Sequence, residues 1–289
     1  MISAADVNKL RLKTGAGMMD CKKALTESNG DFEAAIDYLR KKGAKVSASR
    51  SDRETKEGVV IARSSEDGTH GIIIELNCET DFVAKNADFI EFGNTLANLA
   101  LAKNPSSVQD LLNLTYYAAG SPGDTGIPGK SSTPVSAAIN EQTGKIGEKI
   151  SVSKLEKITA SKVVAYIHAN YKLGVLVGLS QDVTGASEAG KDVSMQIAAM
   201  NPVSIDKNDV DATVIERELE IAREQVKTEG KPDNMIEKIA QGKLNKFYKD
   251  STLLNQEFVK DSSKTIAQML DAVHKGLTVT AFKRVQLGV

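Results

Sequence analysis

The 289-residue chain has no tryptophan and only 4% aromatic residues, so seven phenylalanines and six tyrosines are its whole supply of large rings for cores and interfaces. Its two cysteines, Cys21 and Cys78, are far apart and each lies within an apolar pattern. That excludes a disulfide scaffold and fits a reducing compartment, with both thiols acting as small buried hydrophobes. Excess charge of one sign is missing too: 37 basic and 38 acidic side chains leave a formal net charge of -1. Without a global field to gather phosphates, direct nucleic-acid binding is not expected. No run approaches the roughly 18 apolar residues of a membrane span. The opening Met1-Ile2-Ser3-Ala4-Ala5-Asp6 has neither the basic nor the apolar region of a secretory signal. The expectation is a soluble, cytoplasmic protein that does not meet a membrane.

Constellations for chemistry are equally scarce. His70, His168 and His274 stand alone, with no His-Glu-x-x-His and no Cys-x-x-Cys, so no metal centre is expected. Gly129-Lys130-Ser131 resembles the end of a phosphate loop, but Asp124 holds the place of its first glycine and no strand precedes it. Gly15-Ala16-Gly17 is not a dinucleotide turn, because it sits between helices and Asp20 stands where the third glycine belongs. Carboxylate pairs read as solvated helix faces. No nucleophile is paired with a base, so neither an enzyme nor a cofactor is expected.

What the sequence does contain is patterning. Ser3 can cap a first helix whose inner face carries Val7 and Leu10. A second helix begins near Met18 with Cys21, Ala24 and Leu25 at helical spacing, and Asn29-Gly30 supplies a left-handed stop. Asp31 caps a third, in which Phe32, Ala35, Ile36 and Leu39 form a stripe and Gly43 is expected to end the helix. The polar run 47–56 reads as a linker or a solvated helical extension. The period then changes. Two β-rich runs around Val59-Val60-Ile61 and Ile72-Ile73-Ile74 flank the turn segment 64–69, and a helix follows through Phe89, Phe92, Leu96 and Leu99. A second hairpin-then-helix unit runs through Val163 to His168, a turn at Ala169-Asn170-Tyr171-Lys172, Leu173 to Val177, and a helix over Val193, Ile197 and Met200. Between the two units lie a turn-rich loop at 120–129 and a strand near 149–158. From Asp209 the pattern is a helical hairpin: Ile215, Leu219, Ala222 and Val226, a Glu229-Gly230-Lys231-Pro232 turn, then Ile236, Ile239, Ala240, Leu244 and Phe247. Its seam is narrow, as in a coiled coil, which suggests a protruding element that meets another protein. A strand over 277–285 is placed to complete the second sheet.

One aromatic is out of place. In Thr80-Asp81-Phe82-Val83-Ala84-Lys85-Asn86, a phenylalanine is set among polar neighbours. Either Phe82 staples the following helix to its own core, or the ring is an anchor for a protein interface.

Two long motifs, LRLKTGAGMMDCKKALTESNGDFEAAIDYLRKKGA (10–44) and ELNCETDFVAKNADF (75–89), closely resemble the elongation factor Ts family. KIGEKI (145–150), His168 before KLGVLV, NMIEKIAQGKLNKF (234–247) and QEFVKDSSKT (256–265) extend the likeness over nearly the whole chain. The resemblance implies an α+β protein: a ubiquitin-associated-like three-helix domain at 1–46, a linker at 47–56, and a core of two related α+β subdomains with antiparallel sheets. These are 57–140, and 141–203 with 251–289, the latter interrupted by an inserted helical hairpin at 204–250. It implies a translation elongation factor that binds elongation factor Tu in its GDP form and releases GDP by displacing magnesium and phosphate contacts. By the same resemblance Asp81 and Phe82, flanked by Thr80 and Val83, enter the partner's GTPase domain beside its magnesium region. Met19 and Lys22 touch that domain from another side, and Ile146, Gly147, His168 and Val259 make further contacts, some of them on a second face of the partner. Lys260 stands where the family has an apolar residue. Homodimerisation of the complex through the hairpin is left open. The competing class is a ubiquitin-like-fold adaptor that uses only the N-terminal helices, a reading that leaves both α+β units idle.

Overall fold

The computed structural model of the protein describes residues 2–116 and 133–289. The 120–129 loop and Gly129-Lys130-Ser131 lie outside the described residues. The chain is α+β and divides into two compact units, one made of Met1–Ile61, Ile74–Leu155 and Leu287–Val289, the other of Ala62–Ile73 and Glu156–Gln286.

In the first unit, α1 (Ala4–Thr14) opens on a reciprocal capping box between Ser3 and Asp6 and ends at Gly15, whose φ of 68° is the left-handed conformation that glycine reaches without strain. The helices α2 (Met18–Glu27) and α3 (Phe32–Ser49) follow, the latter capped by the Asp31 carboxylate on the amides of Glu33 and Ala34. Together they bury Val7, Leu10, Cys21, Ala24, Leu25 and Ala35 in a small core. Gly43 does not end α3. It is buried within the helix, where a methyl group would lie 2.8 Å from the Asn140 carbonyl oxygen, so this glycine serves close approach and not a stop.

The chain continues through β1 (Glu57–Ser64), β2 (His70–Cys78), the single-turn α4 (Asp81–Ala84), α5 (Ala87–Lys103), α6 (Val108–Asn113), the short pair β3 (Thr115–Tyr116) and β4 (Thr133–Pro134), then α7 (Val135–Ile146) and β5 (Ser151–Thr159). The first sheet has the order β1-β2-β5. α5 buries Phe89, Phe92, Leu96, Ala97 and Ala100, and Gly93 lets it approach the sheet until a methyl there would meet Ile61 Cδ1 at 2.7 Å. Leu99, expected on the same stripe, is only half-buried. The sequence pattern did not foretell α7; its buried apolar residues, Val135, Ala138 and Ile139, are few, a weak stripe beside the long runs around it.

The second unit contains β6 (Lys162–His168), β7 (Leu173–Leu179), α8 (Ala186–Met200), α9 (Ala212–Thr228), α10 (Asp233–Ser251), β8 (Glu257–Phe258), β9 (Asp261–Thr265), α11 (Ile266–Val273) and β10 (Val279–Gln286). Its sheet has the order β10-β7-β6, antiparallel, with Tyr166 opposite Val175 and His168 opposite Leu173. β10 closes the other side of β7, pairing Phe282 with Val177. Val175, Val177 and Leu179 pack with Val193 and Ile197 of α8 and with Ile266 and Leu270 of α11 into one core. Met200 does not join it: it is the last residue of α8, 45% exposed, past the turn at which the stripe meets the sheet. α9 and α10 form the expected hairpin around Gly230 (φ 70°). They bury only Ala222, Val226, Ile236, Ala240 and Leu244, while Arg223 grips Glu237 through two hydrogen bonds of 2.5 and 3.1 Å across the outside of the seam.

Candidate functional site

The turn that carries Phe82 is built from polar contacts. Thr80 has extended backbone and caps α4, its hydroxyl accepting weakly from the Val83 amide at 3.5 Å. Lys85 Nζ donates to Asp81 Oδ2 at 2.6 Å, and this ion pair holds the Asp81 carboxyl below the usual carboxylate range. Of the four residues of α4 only Ala84 is buried. Phe82 is 82% exposed, so the ring is neither core nor staple. An apolar ring of this size held in water at the tip of a capped turn has the form of an interface anchor.

Two glutamates cross beneath that turn. Glu148, just after α7, accepts the amides of Glu79 and Thr80 on Oε2, at 3.1 and 3.0 Å, and the Thr80 hydroxyl on Oε1 at 2.6 Å. Glu79 reaches the opposite way, accepting the Lys149 amide at 2.6 Å and Arg50 Nη1 at 2.7 Å. Burial pushes the Glu79 carboxyl up, but the hydrogen bonds from Lys149 and Arg50 outweigh it and leave the group below its ordinary value. Segments 79–80 and 148–149 are therefore laced together by charge-assisted hydrogen bonds.

Beside the turn lies an open groove of about 480 Å³, lined among others by Arg11, Met18, Val83, Asn86, Lys145 and Ile146. It brings Val83 and Ile146 together with the start of α2. Gly147 ends α7 in the left-handed region with φ 83°, and no atom lies within 4 Å of where a side chain would begin. Met19, 75% exposed, and Lys22 occupy the outer face of α2, opposite the buried Cys21, Ala24 and Leu25.

The second unit supplies two of the anticipated residues. His168, the last residue of β6, is exposed and not half-buried as a strand residue is by default; its Nδ1 is 2.9 Å from the Tyr166 hydroxyl. Val259, 53% exposed, sits in the tight turn between β8 and β9. Its amide donates to Oε1 of the buried Gln196 at 3.0 Å, while Gln196 Nε2 donates to Gln256 Oε1 and the Glu257 carbonyl, each at 3.1 Å. Lys260 points to Asp192 with a 2.7 Å ion pair. Sequence reasoning missed Glu148 and Gln196, whose roles depend on donors distant in the chain. Among the described residues no group of three or more His, Cys, Asp or Glu could hold a metal ion, and no helix is long and apolar enough to cross a membrane.

Comparison with known proteins gives the chain a family. The family model described as Elongation factor TS matches residues 79–289. An elongation factor Ts of Cytophaga hutchinsonii is 54% identical over 289 residues, covering 99% of each chain. One of Christiangramia forsetii is 50% identical over 287 residues, again covering 99% of each, and one of Porphyromonas gingivalis is 44% identical over 286 residues, covering 99% of this chain and 98% of the relative. These matches define the chain as a translation elongation factor. The chain belongs to the elongation factor Ts family.

Proposed function

We propose that the chain is a guanine-nucleotide exchange factor that binds elongation factor Tu in its GDP form and speeds GDP release, with Phe82 as the wedge. The observation that carries this reading is the exposure of Phe82 on a turn fixed from beneath by Glu148. A GTPase of this kind holds its nucleotide through backbone amides, a lysine and Mg²⁺ that bridges phosphate to protein. A ring inserted beside the metal region favours a state in which those contacts are broken, and the phosphate charge then loses its compensation. Asp81 accompanies the ring and Val83 lies at its base, while Met19, Lys22, Ile146 and Gly147 widen the contact in the first unit and His168 and Val259 supply it in the second. No covalent bond is made or broken by the chain, so it is not an enzyme in the chemical sense. Linkage requires reciprocity: by whatever factor the chain weakens GDP binding, GDP weakens binding of the chain.

The test is release of labelled GDP from elongation factor Tu, followed with and without the chain, with intrinsic hydrolysis as control. The reading predicts faster release that saturates with chain concentration. Binding without acceleration contradicts it and favours an adaptor.

A further inference from the structure

α4 is a single turn of helix, and a lone turn does not hold itself: fixing its backbone costs more than its one or two hydrogen bonds return. Its residues bury only Ala84, and its anchor ring is in water. The order of the turn must come from outside it. Glu148 is placed to supply it, since its carboxylate takes three donors from the two residues immediately before the turn, the amides of Glu79 and Thr80 and the Thr80 hydroxyl. The third contact couples Glu148 to the cap. With its proton committed to Glu148 Oε1 at 2.6 Å, the Thr80 hydroxyl can offer only lone pairs towards the Val83 amide. The geometry thus points to Glu148 as a positioning residue for nucleotide exchange, one that touches neither nucleotide nor metal and acts by holding Phe82 in the orientation in which it enters the partner.

The inference rests on the exchange reading above. An anchor already ordered in the free protein forfeits little entropy on binding, whereas a loose one must be ordered at the moment of contact. Releasing a few backbone residues from a fixed conformation is enough to lower exchange efficiency about tenfold. Glu148→Ala removes all three acceptor contacts. Glu148→Gln keeps an oxygen for the two amides, and its NH₂ can donate to the Thr80 hydroxyl, which still accepts from Val83. Thr80→Val removes the hydroxyl alone at nearly constant shape.

The experiment measures GDP release from elongation factor Tu with the full chain carrying Glu148→Ala, Glu148→Gln or Thr80→Val, each with Phe82 intact and with Phe82→Ala, alongside denaturant melts. With Phe82 present, Glu148→Ala should lower kcat/KM about tenfold and Thr80→Val several-fold, with Glu148→Gln restoring most of the rate. In the Phe82→Ala background the same changes should matter by less than twofold, because there is no ring left to position. A merely structural role would not give that dependence on background. An equal loss in both backgrounds, or no rescue by glutamine, overturns the inference. If Phe82→Ala is slow but Glu148→Ala exchanges like the unmodified protein, the inference falls while the exchange reading stands. If Phe82→Ala itself exchanges at full rate, that reading fails and takes the inference with it.

Discussion

Gly144 on α7 faces Gly43 on α3 so closely that a methyl group on Gly144 would lie 2.5 Å from Gly43 Cα. The obstruction is backbone, which cannot swing aside as a flexible side chain does. α3 and α7 meet over these two glycines, and the N-terminal helices are tied in this way to the helix that ends in Ile146 and Gly147.

Gly144→Ala sets two effects against each other. Helix propensity favours alanine by about 1 kcal/mol, whereas forcing a packed helix pair apart costs typically 1–3 kcal/mol. Because the contact is with backbone, the steric cost should win and the variant should melt at lower denaturant. Gly43→Ala, with the Asn140 carbonyl oxygen at 2.8 Å, should act the same way. A urea melt of each checks this; an unchanged or raised midpoint would mean the helices separate freely.

Glu79 should leave a mark on acid stability. Its carboxyl lies below its ordinary value in the folded chain, so the unfolded state binds its proton first as pH falls. Its contribution is then complete above the unfolded value of about 4.3 and is lost as pH drops through the folded one. Glu79→Gln should be less stable than the unmodified protein near neutral pH, with the gap closing below about pH 4. Denaturant melts across that range measure it, and a gap that widens on acidification would reverse the sign.

Gln196 is the second unit's counterpart. Gln196→Leu leaves the Val259 amide, the Gln256 side-chain oxygen and the Glu257 carbonyl without their partner. Leaving such groups unpaired costs roughly 1–3 kcal/mol each when they stay buried. The Val259 amide should lose protection against hydrogen exchange and the affinity for elongation factor Tu should fall, while the maximal exchange rate at saturation holds. A fall in that maximal rate would give this turn a part in nucleotide release.

The hairpin of α9 and α10 buries five residues along a thin seam, with Ile221 and Met235 left 40% and 43% exposed. Replacing residues 215–247 with a short Gly-Ser turn should leave exchange on isolated elongation factor Tu within about twofold and shift only associations that use the hairpin. Collapse of exchange with the remaining fold intact would contradict this.

Much of the fold could be read in the chain because local signals agreed: Ser3 with Asp6, Asp31 ahead of an apolar stripe, Asn29-Gly30, and β-rich runs around the turn at 64–69. Where reading failed, one residue type carried two meanings. Gly43 as a helix stop and Gly43 as a packing contact look identical until α7 is placed against it. Met200 fits the spacing of the α8 stripe, yet the helix ends before the core reaches it. Phe82 and Met19 were singled out by resemblance, and both side chains are exposed. The groups that hold the Thr80 and Val259 backbone were not legible, because Glu148 and Gln196 act on amides 68 and 63 residues away, and sequence gives no register for such contacts.

The most direct test of the whole account is Phe82→Ala, measured both for stability and for GDP release from elongation factor Tu. A ring 82% exposed contributes little to folding, so the melt should move by less than about 0.5 kcal/mol. As an interface anchor it should forfeit roughly 2 kcal/mol or more of partner-dependent free energy, about thirtyfold in exchange efficiency. A variant that melts like the unmodified chain and exchanges some thirtyfold more slowly is the predicted result. A variant that exchanges normally per folded molecule would contradict the wedge, whatever its melt.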